Sequence, residues 1–165
     1  MAILDLGQII TYYQKYWEIV KYIREINENQ PDNQKFKNIQ IPVNLTQSLA
    51  YDFLIENPQS INLGEILREF LKEGNNRTYD LIYKTATVTT NIEVKATGTN
   101  NFQRLRKKAL SADYVVWINF NSLTNYDIAT FNPAILNPQN RLEIEVTWDR
   151  LRTNNEVTFF MNREL

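Results

Sequence analysis

One five-residue run, Ile92-Glu93-Val94-Lys95-Ala96, constrains this chain more than any other feature, because it reads as a strand whose chemistry lies on a single face. Side chains alternate along a strand, so Glu93 and Lys95 share one face, roughly 7 Å apart, while Ile92, Val94 and Ala96 take the other. An acid and an amine thus occupy a polar edge backed by an apolar one. Residues 78–84 form a second β-rich stretch, and a hairpin centred between Ala86 and Thr87 sets Asp80 directly opposite Glu93. Cross-strand partners have Cβ atoms about 5 Å apart, close enough for both carboxylates to grip one hard divalent cation such as Mg²⁺, with Mn²⁺ as a substitute. Two carboxylates, a lysine and such a cation are sufficient to hydrolyse a phosphodiester.

Composition removes other chemistries. The chain has neither histidine nor cysteine, which excludes Ser-His-Asp and Cys-His nucleophiles, a histidine base and any Cys/His zinc site. What remains is carboxylate, lysine, tyrosine and hydroxyl chemistry, usually with an oxygen-bound metal. A length of 165 residues fits one domain with a full core. No apolar run approaches ~18 residues and no signal peptide is recognisable, so the expectation is a cytoplasmic protein with no membrane partner. The formal net charge is −1, so a nucleic-acid partner would have to be met by locally concentrated positive charge.

The pattern along the chain is mixed α/β. Residues 5–27 read as an amphipathic helix, with Asp5 and Gln8 at capping-box spacing and a stripe of Ile9, Tyr13, Tyr16, Val20 and Ile23. Tyr12, Trp17, Ile19 and Tyr22 widen that stripe, which suits either core packing or a second face toward another subunit. Residues 30–38 read as a polar loop containing Pro31. Helices are expected over 45–55 and 61–72, the latter stopped by Gly74, and strands over 78–84 and 88–97. Phe102, Leu105, Ala109 and Ala112 then recur at helical spacing, giving a helix over 101–112 before a doubly buried strand over 114–118. Strand, helix and buried strand make a βαβ unit with a right-handed crossover. Asn132-Pro133 looks like a cap and first helical position; Leu142, Ile144, Val146 and Trp148 alternate as a half-exposed strand, and residues 157–161 form a last one. The expected organisation is a single domain: a helical part over 1–60, a core over 61–120 and strands over 121–165.

Two further groups admit two readings each. With Phe102, Leu105 and Ala109 turned to the core, Arg104, Lys107 and Lys108 share the opposite face of the expected helix, either solvated or neutralising phosphates. The run Thr97-Gly98-Thr99-Asn100-Asn101 offers short donors and a close-approach glycine, suiting a phosphate, a groove edge or a plain turn. Glu143 and Glu145 read as solvent-facing.

Residues 61–120, with Asp80 and the triplet Glu93-Val94-Lys95 ahead of a helix and a buried strand, resemble the core of the PD-(D/E)XK nuclease superfamily, the fold of most type II restriction endonucleases. The resemblance implies a central mixed β-sheet flanked by helices. Asp80 matches the first motif acid, Glu93 the second and Lys95 the catalytic lysine, while Glu65 matches a helical carboxylate that many members add to the metal site. Tyr79 stands where the motif has proline, and the literal Pro31-Asp32 lies in a loop well upstream. The implied activity is endonucleolytic cleavage of double-stranded DNA, leaving 5′-phosphate and 3′-hydroxyl ends. Asp80, Glu93 and the Val94 carbonyl would hold Mg²⁺, and Gln103 or Lys107 would reach the site. Thr97, Thr99, Asn100, Gln103, Arg104, Lys107 and Lys108 would contact DNA, with bases read by residues 119–126. Cutting both strands at one symmetric site takes a C₂ homodimer. Other readings stay open: a resolvase, repair or mobile-element nuclease of the same fold, a DNA-binding or interaction module without catalysis, and an unrelated α/β domain with a surface salt-bridge ladder.

Overall fold

The computed structural model describes residues 6–31, 43–74, 78–98, 102–121 and 125–164. Asp5, most of the expected 30–38 loop and the side chains of Ile9, Tyr13 and Ile23 lie outside the described residues. Helix α1 spans Leu6–Glu28 and α2 Val43–Glu56, followed by a 3₁₀ turn at Pro58–Ile61. The strands are β1 Leu71–Glu73, β2 Leu81–Lys84, β3 Thr89–Thr97, β4 Phe102–Arg106, β5 Tyr114–Phe120, β6 Asn125–Phe131, β7 Glu143–Thr147 and β8 Thr158–Glu164. Single helical turns, α3 at Lys107–Leu110 and α4 at Trp148–Arg152, follow β4 and β7. No helix among the described residues is long and apolar enough to cross a membrane.

The architecture is mixed α/β. A central six-stranded sheet runs β1-β2-β3-β5-β6-β8, mixed because β3 and β5 are parallel while the other neighbours are antiparallel. A separate two-stranded sheet joins β4 to β7. The unbroken apolar run of β5 has the cause its sequence suggests: both faces are covered. Val116 and Ile118 pack with Ile92, Val94 and the α2 residues Leu45, Leu49, Phe53 and Leu54. Val115 and Trp117 face the other way, against Leu105 and Ala109 and against Ile144, Val146, Trp148 and Leu151. There Trp117 and Trp148 meet edge to face with centroids 5.0 Å apart, a pairing worth about 0.5–1.5 kcal/mol beyond its buried area.

Two expected helices are absent. The segment over 61–72 is not helical: Asn62, with φ 58°, ends the 3₁₀ turn in the left-handed region, and Gly64 follows within an irregular stretch. Leu71 is instead drawn into the sheet opposite Tyr83. Gly74 is not a helix stop. Its N–H donates to the Asp80 carbonyl at 2.9 Å, and a Cβ there would collide with the Tyr79 carbonyl oxygen. The helix over 101–112 is replaced by β4 and the single turn α3. Leu105 pairs with Ile144 and Arg104 with Glu145, so a partner strand far along the chain overrides a spacing that fitted a helix. The crossover between parallel β3 and β5 is therefore a strand and one turn, not a full helix.

At the other end of the chain the outcome is mixed. Asn132 caps the 3₁₀ turn Pro133–Leu136, its side chain accepting from Ala134 N. Of the alternating run, Ile144 and Val146 are buried on β7, but Leu142 precedes the strand and is 74% exposed, while Trp148 opens α4.

Candidate active site

The β2–β3 ladder pairs Leu81 with Ile92 and Lys84 with Thr89, the register of a hairpin centred between Ala86 and Thr87. One further step sets Asp80 opposite Glu93. There β2 has ended, and the Asp80 carboxylate takes over the ladder's role, its Oδ2 accepting from the Val94 N–H at 2.8 Å. The Val94 carbonyl shares that side of the strand with its N–H.

Alternation along β3 sends Ile92 and Val94 into the α2-side core and turns Glu93 and Lys95 to the face overlaid by α3. Glu93 is 3% exposed. A carboxylate so buried needs compensation, and it has it on both sides. Lys95 Nζ donates to Oε1 at 2.7 Å, and Lys108 Nζ lies 3.0 Å from Oε2, an ion-pair contact without hydrogen-bond alignment. Lys108 also donates to Asp80 Oδ1 at 3.3 Å. Burial works against the Lys108 ammonium, but its contact with Glu93 and the charges of Asp80 and Glu93 outweigh this and hold its pKa above the ordinary lysine value.

The remaining expected residues separate clearly. Glu65 is exposed in the irregular segment before β1, since the helix meant to carry it does not form. Gln103 reaches β3 but grips its backbone, Nε2 donating to the Ala96 carbonyl at 2.7 Å. Thr97 is 8% exposed and committed to Asn119 Oδ1 at 2.7 Å, which removes it from any surface contact. Asn119 and Tyr126, the ends of the expected base-reading segment, are each 5% exposed. Thr99, Asn100 and the intervening residues 122–124 lie outside the described residues.

The basic stretch does not share one helical face. Arg104 projects from β4 and is held by Glu143 at 3.1 Å and Glu145 at 2.7 Å, while Arg106 reaches Glu143 at 3.5 Å. The hydrogen bond to Glu145 and the charges of both acids raise the Arg104 pKa further. Glu143 and Glu145 are thus partners of arginine, not merely solvated. Lys107 is exposed, and Lys108 is the residue that joins the acids. The sequence offered no sign of this beyond a run of basic residues, because which lysine reaches depends on where β4 stops. Tyr79, in the place of the motif proline, adds a second connection: its hydroxyl donates to the Ser111 carbonyl at 3.0 Å, at the end of α3.

Among the described residues no three acidic side chains converge on a point. Asp80 and Glu93 alone fit a small hard cation of the Mg²⁺ type, which commonly takes one or two carboxylates and fills its shell with water and phosphate oxygens. The converging oxygens, Asp80 Oδ1 and Glu93 Oε2, already attract a cationic group in Lys108. Set against protein-family models, curated proteins and solved structures, the chain matches none.

Proposed function

We propose that this chain is a Mg²⁺-dependent endodeoxyribonuclease with a PD-(D/E)XK, restriction-endonuclease-like core, acting on double-stranded DNA as a homodimer in the manner of a type II restriction enzyme. The observation that carries the reading is the approach of Asp80, just ahead of β2, and Glu93, on β3, to one shared ammonium, with Lys95 against the second acid. Asp80 Oδ1 and Glu93 Oε2 would hold the cation, with the Val94 carbonyl beside them. When bound, Mg²⁺ would supply Lewis-acid polarisation of the scissile phosphate and a more acidic attacking water. Lys95 orients that water and offsets the charge that develops on the phosphoryl oxygens, tethered meanwhile by Glu93. Gln103 keeps β4 fixed against the end of β3, so the acids and the lysine hold their spacing.

A second reading is favoured by one observation: Lys95 and Lys108 neutralise Asp80 and Glu93 completely, as in a structural ion-pair cluster. Incubation with mixed-sequence duplex DNA and Mg²⁺ decides between them. Discrete fragments with 5′-phosphate ends are expected of a restriction enzyme, and a smear would place the chain among nonspecific nucleases. DNA left intact in both Mg²⁺ and Mn²⁺ would overturn the nuclease reading in favour of the structural one.

A further inference from the structure

We propose that Lys108 is a built-in occupant of the divalent-cation position and that a cation binds there only as this ammonium leaves, a step that rests on the reading of Asp80 and Glu93 as cation ligands. Each carboxylate has one oxygen committed elsewhere. Asp80 Oδ2 accepts from the Val94 N–H at 2.8 Å, and Glu93 Oε1 from Lys95 Nζ at 2.7 Å. The two oxygens left to share a cation are Asp80 Oδ1 and Glu93 Oε2, and Lys108 Nζ lies 3.3 Å from the first and 3.0 Å from the second. Mg²⁺ would need both oxygens at about 2.0–2.1 Å. An ammonium between them and a metal between them are mutually exclusive.

Charge points the same way. The two acids and two lysines cancel at rest, so a divalent ion added without expelling an ammonium leaves surplus positive charge around a nearly buried carboxylate. Lys108 is the lysine that yields. Its side chain is 42% exposed against 26% for Lys95, and its contacts with the acids, at 3.0 and 3.3 Å, are longer than the 2.7 Å contact of Lys95. Its four-carbon stem lets the head swing into solvent while α3 stays in place, held through Ser111 by Tyr79. Lys108 thereby sets the cation affinity by direct competition.

Calorimetric titration of Mn²⁺ into the full chain, and into its Lys108→Met, Lys108→Gln and Asp80→Asn variants, tests this. Both Lys108 variants are expected to bind Mn²⁺ about tenfold more tightly than the parent chain, a coupling of ordinary size, and Asp80→Asn is expected to lose the site. Unchanged or weaker affinity in both Lys108 variants, with binding still abolished by Asp80→Asn, overturns the role of Lys108 and leaves the cation site standing. No Mn²⁺ binding to the parent chain or to either Lys108 variant removes the cation site itself, and the proposal with it. Side-chain NMR of lysine ammonium groups in the unsubstituted protein gives a readout independent of any variant's folding. Mg²⁺ is expected to move the Lys108 signal toward its solvated position, and a signal unmoved at saturation overturns the proposal.

Discussion

The hydroxyl of Tyr79 donates to the carbonyl of Ser111 at 3.0 Å, joining the residue before Asp80 to the end of the turn that carries Lys108. Removing the hydroxyl with Tyr79→Phe should cost about 0.5–1.5 kcal/mol of stability, the ordinary worth of one such bond. It should also loosen Lys108 from the acids, so Mn²⁺ affinity should rise while thermal stability falls. A variant with the parent melting temperature and the parent affinity would show that the tie does not hold α3.

Gly74 governs the other side of the same acid. A methyl group there meets the Tyr79 carbonyl, and the Gly74 N–H is bonded to the Asp80 carbonyl at 2.9 Å. Gly74→Ala should therefore destabilise by about 1–3 kcal/mol and weaken cation binding by displacing Asp80. Calorimetric melting and Mn²⁺ titration of one sample check both effects; a drop in stability with unaltered affinity would mean that the Asp80 turn absorbs the change locally.

Lys95→Ala should lower DNA cleavage by at least about 10²-fold, the usual scale of a lost acid–base or charge-stabilising group, while divalent-cation binding persists. Because Glu93 Oε1 then loses its partner in a site 4% exposed, stability should also fall, by about 1–3 kcal/mol. More than a tenth of the parent rate in the folded variant would exclude Lys95 from the chemistry.

Arg104 and Lys107 should now behave differently toward DNA. Arg104 is spoken for by Glu143 and Glu145, so Arg104→Ala should leave the salt dependence of binding unchanged and barely move the melting temperature, because exposed ion pairs are screened by solvent. Exposed Lys107, if it meets a phosphate, should flatten the slope of log K against log salt by about one unit when replaced by Ala. Binding measured across a salt series distinguishes them, and equal slopes for both variants would contradict this division.

Much of the site geometry was legible because it depends on local periodicity. The alternation in β3 and the symmetry of a short hairpin are enough to bring Asp80 against Glu93, and the ladder ending at Leu81 and Ile92 has that register. The doubly buried β5 was readable for the same reason. The failures have near and far causes: Asn62 in the left-handed region ends the turn where a helix over 61–72 is expected, while the helix over 101–112 yields to a distant partner. Leu105 and Ala109 are four apart, a spacing that serves a helix and also a strand followed by a turn, and β7 decides between them from far along the chain. Arg104 and Arg106 facing Glu143 and Glu145 carried a usable hint, since alternating charges of opposite sign on two stretches suit antiparallel pairing. Lys108 was read as a phosphate contact for want of the point at which β4 would stop.

The buried polar trio at the end of the parallel pair has an implication for how this sequence can change. Trp117 Nε1 donates to Thr97 Oγ1 at 2.9 Å, and Thr97 Oγ1 donates to Asn119 Oδ1 at 2.7 Å, a chain of hydroxyl, amide and indole that spans β3 and β5. Replacing any one of them with an apolar residue strands a buried donor or acceptor, whereas concerted replacement by apolar groups of like shape need not. These positions should therefore drift as a unit or not at all. Sliding β3 against β5 by one residue would break the trio and turn Glu93 and Lys95 toward the α2 side, so the trio keeps the acid and the amine on their face of the sheet.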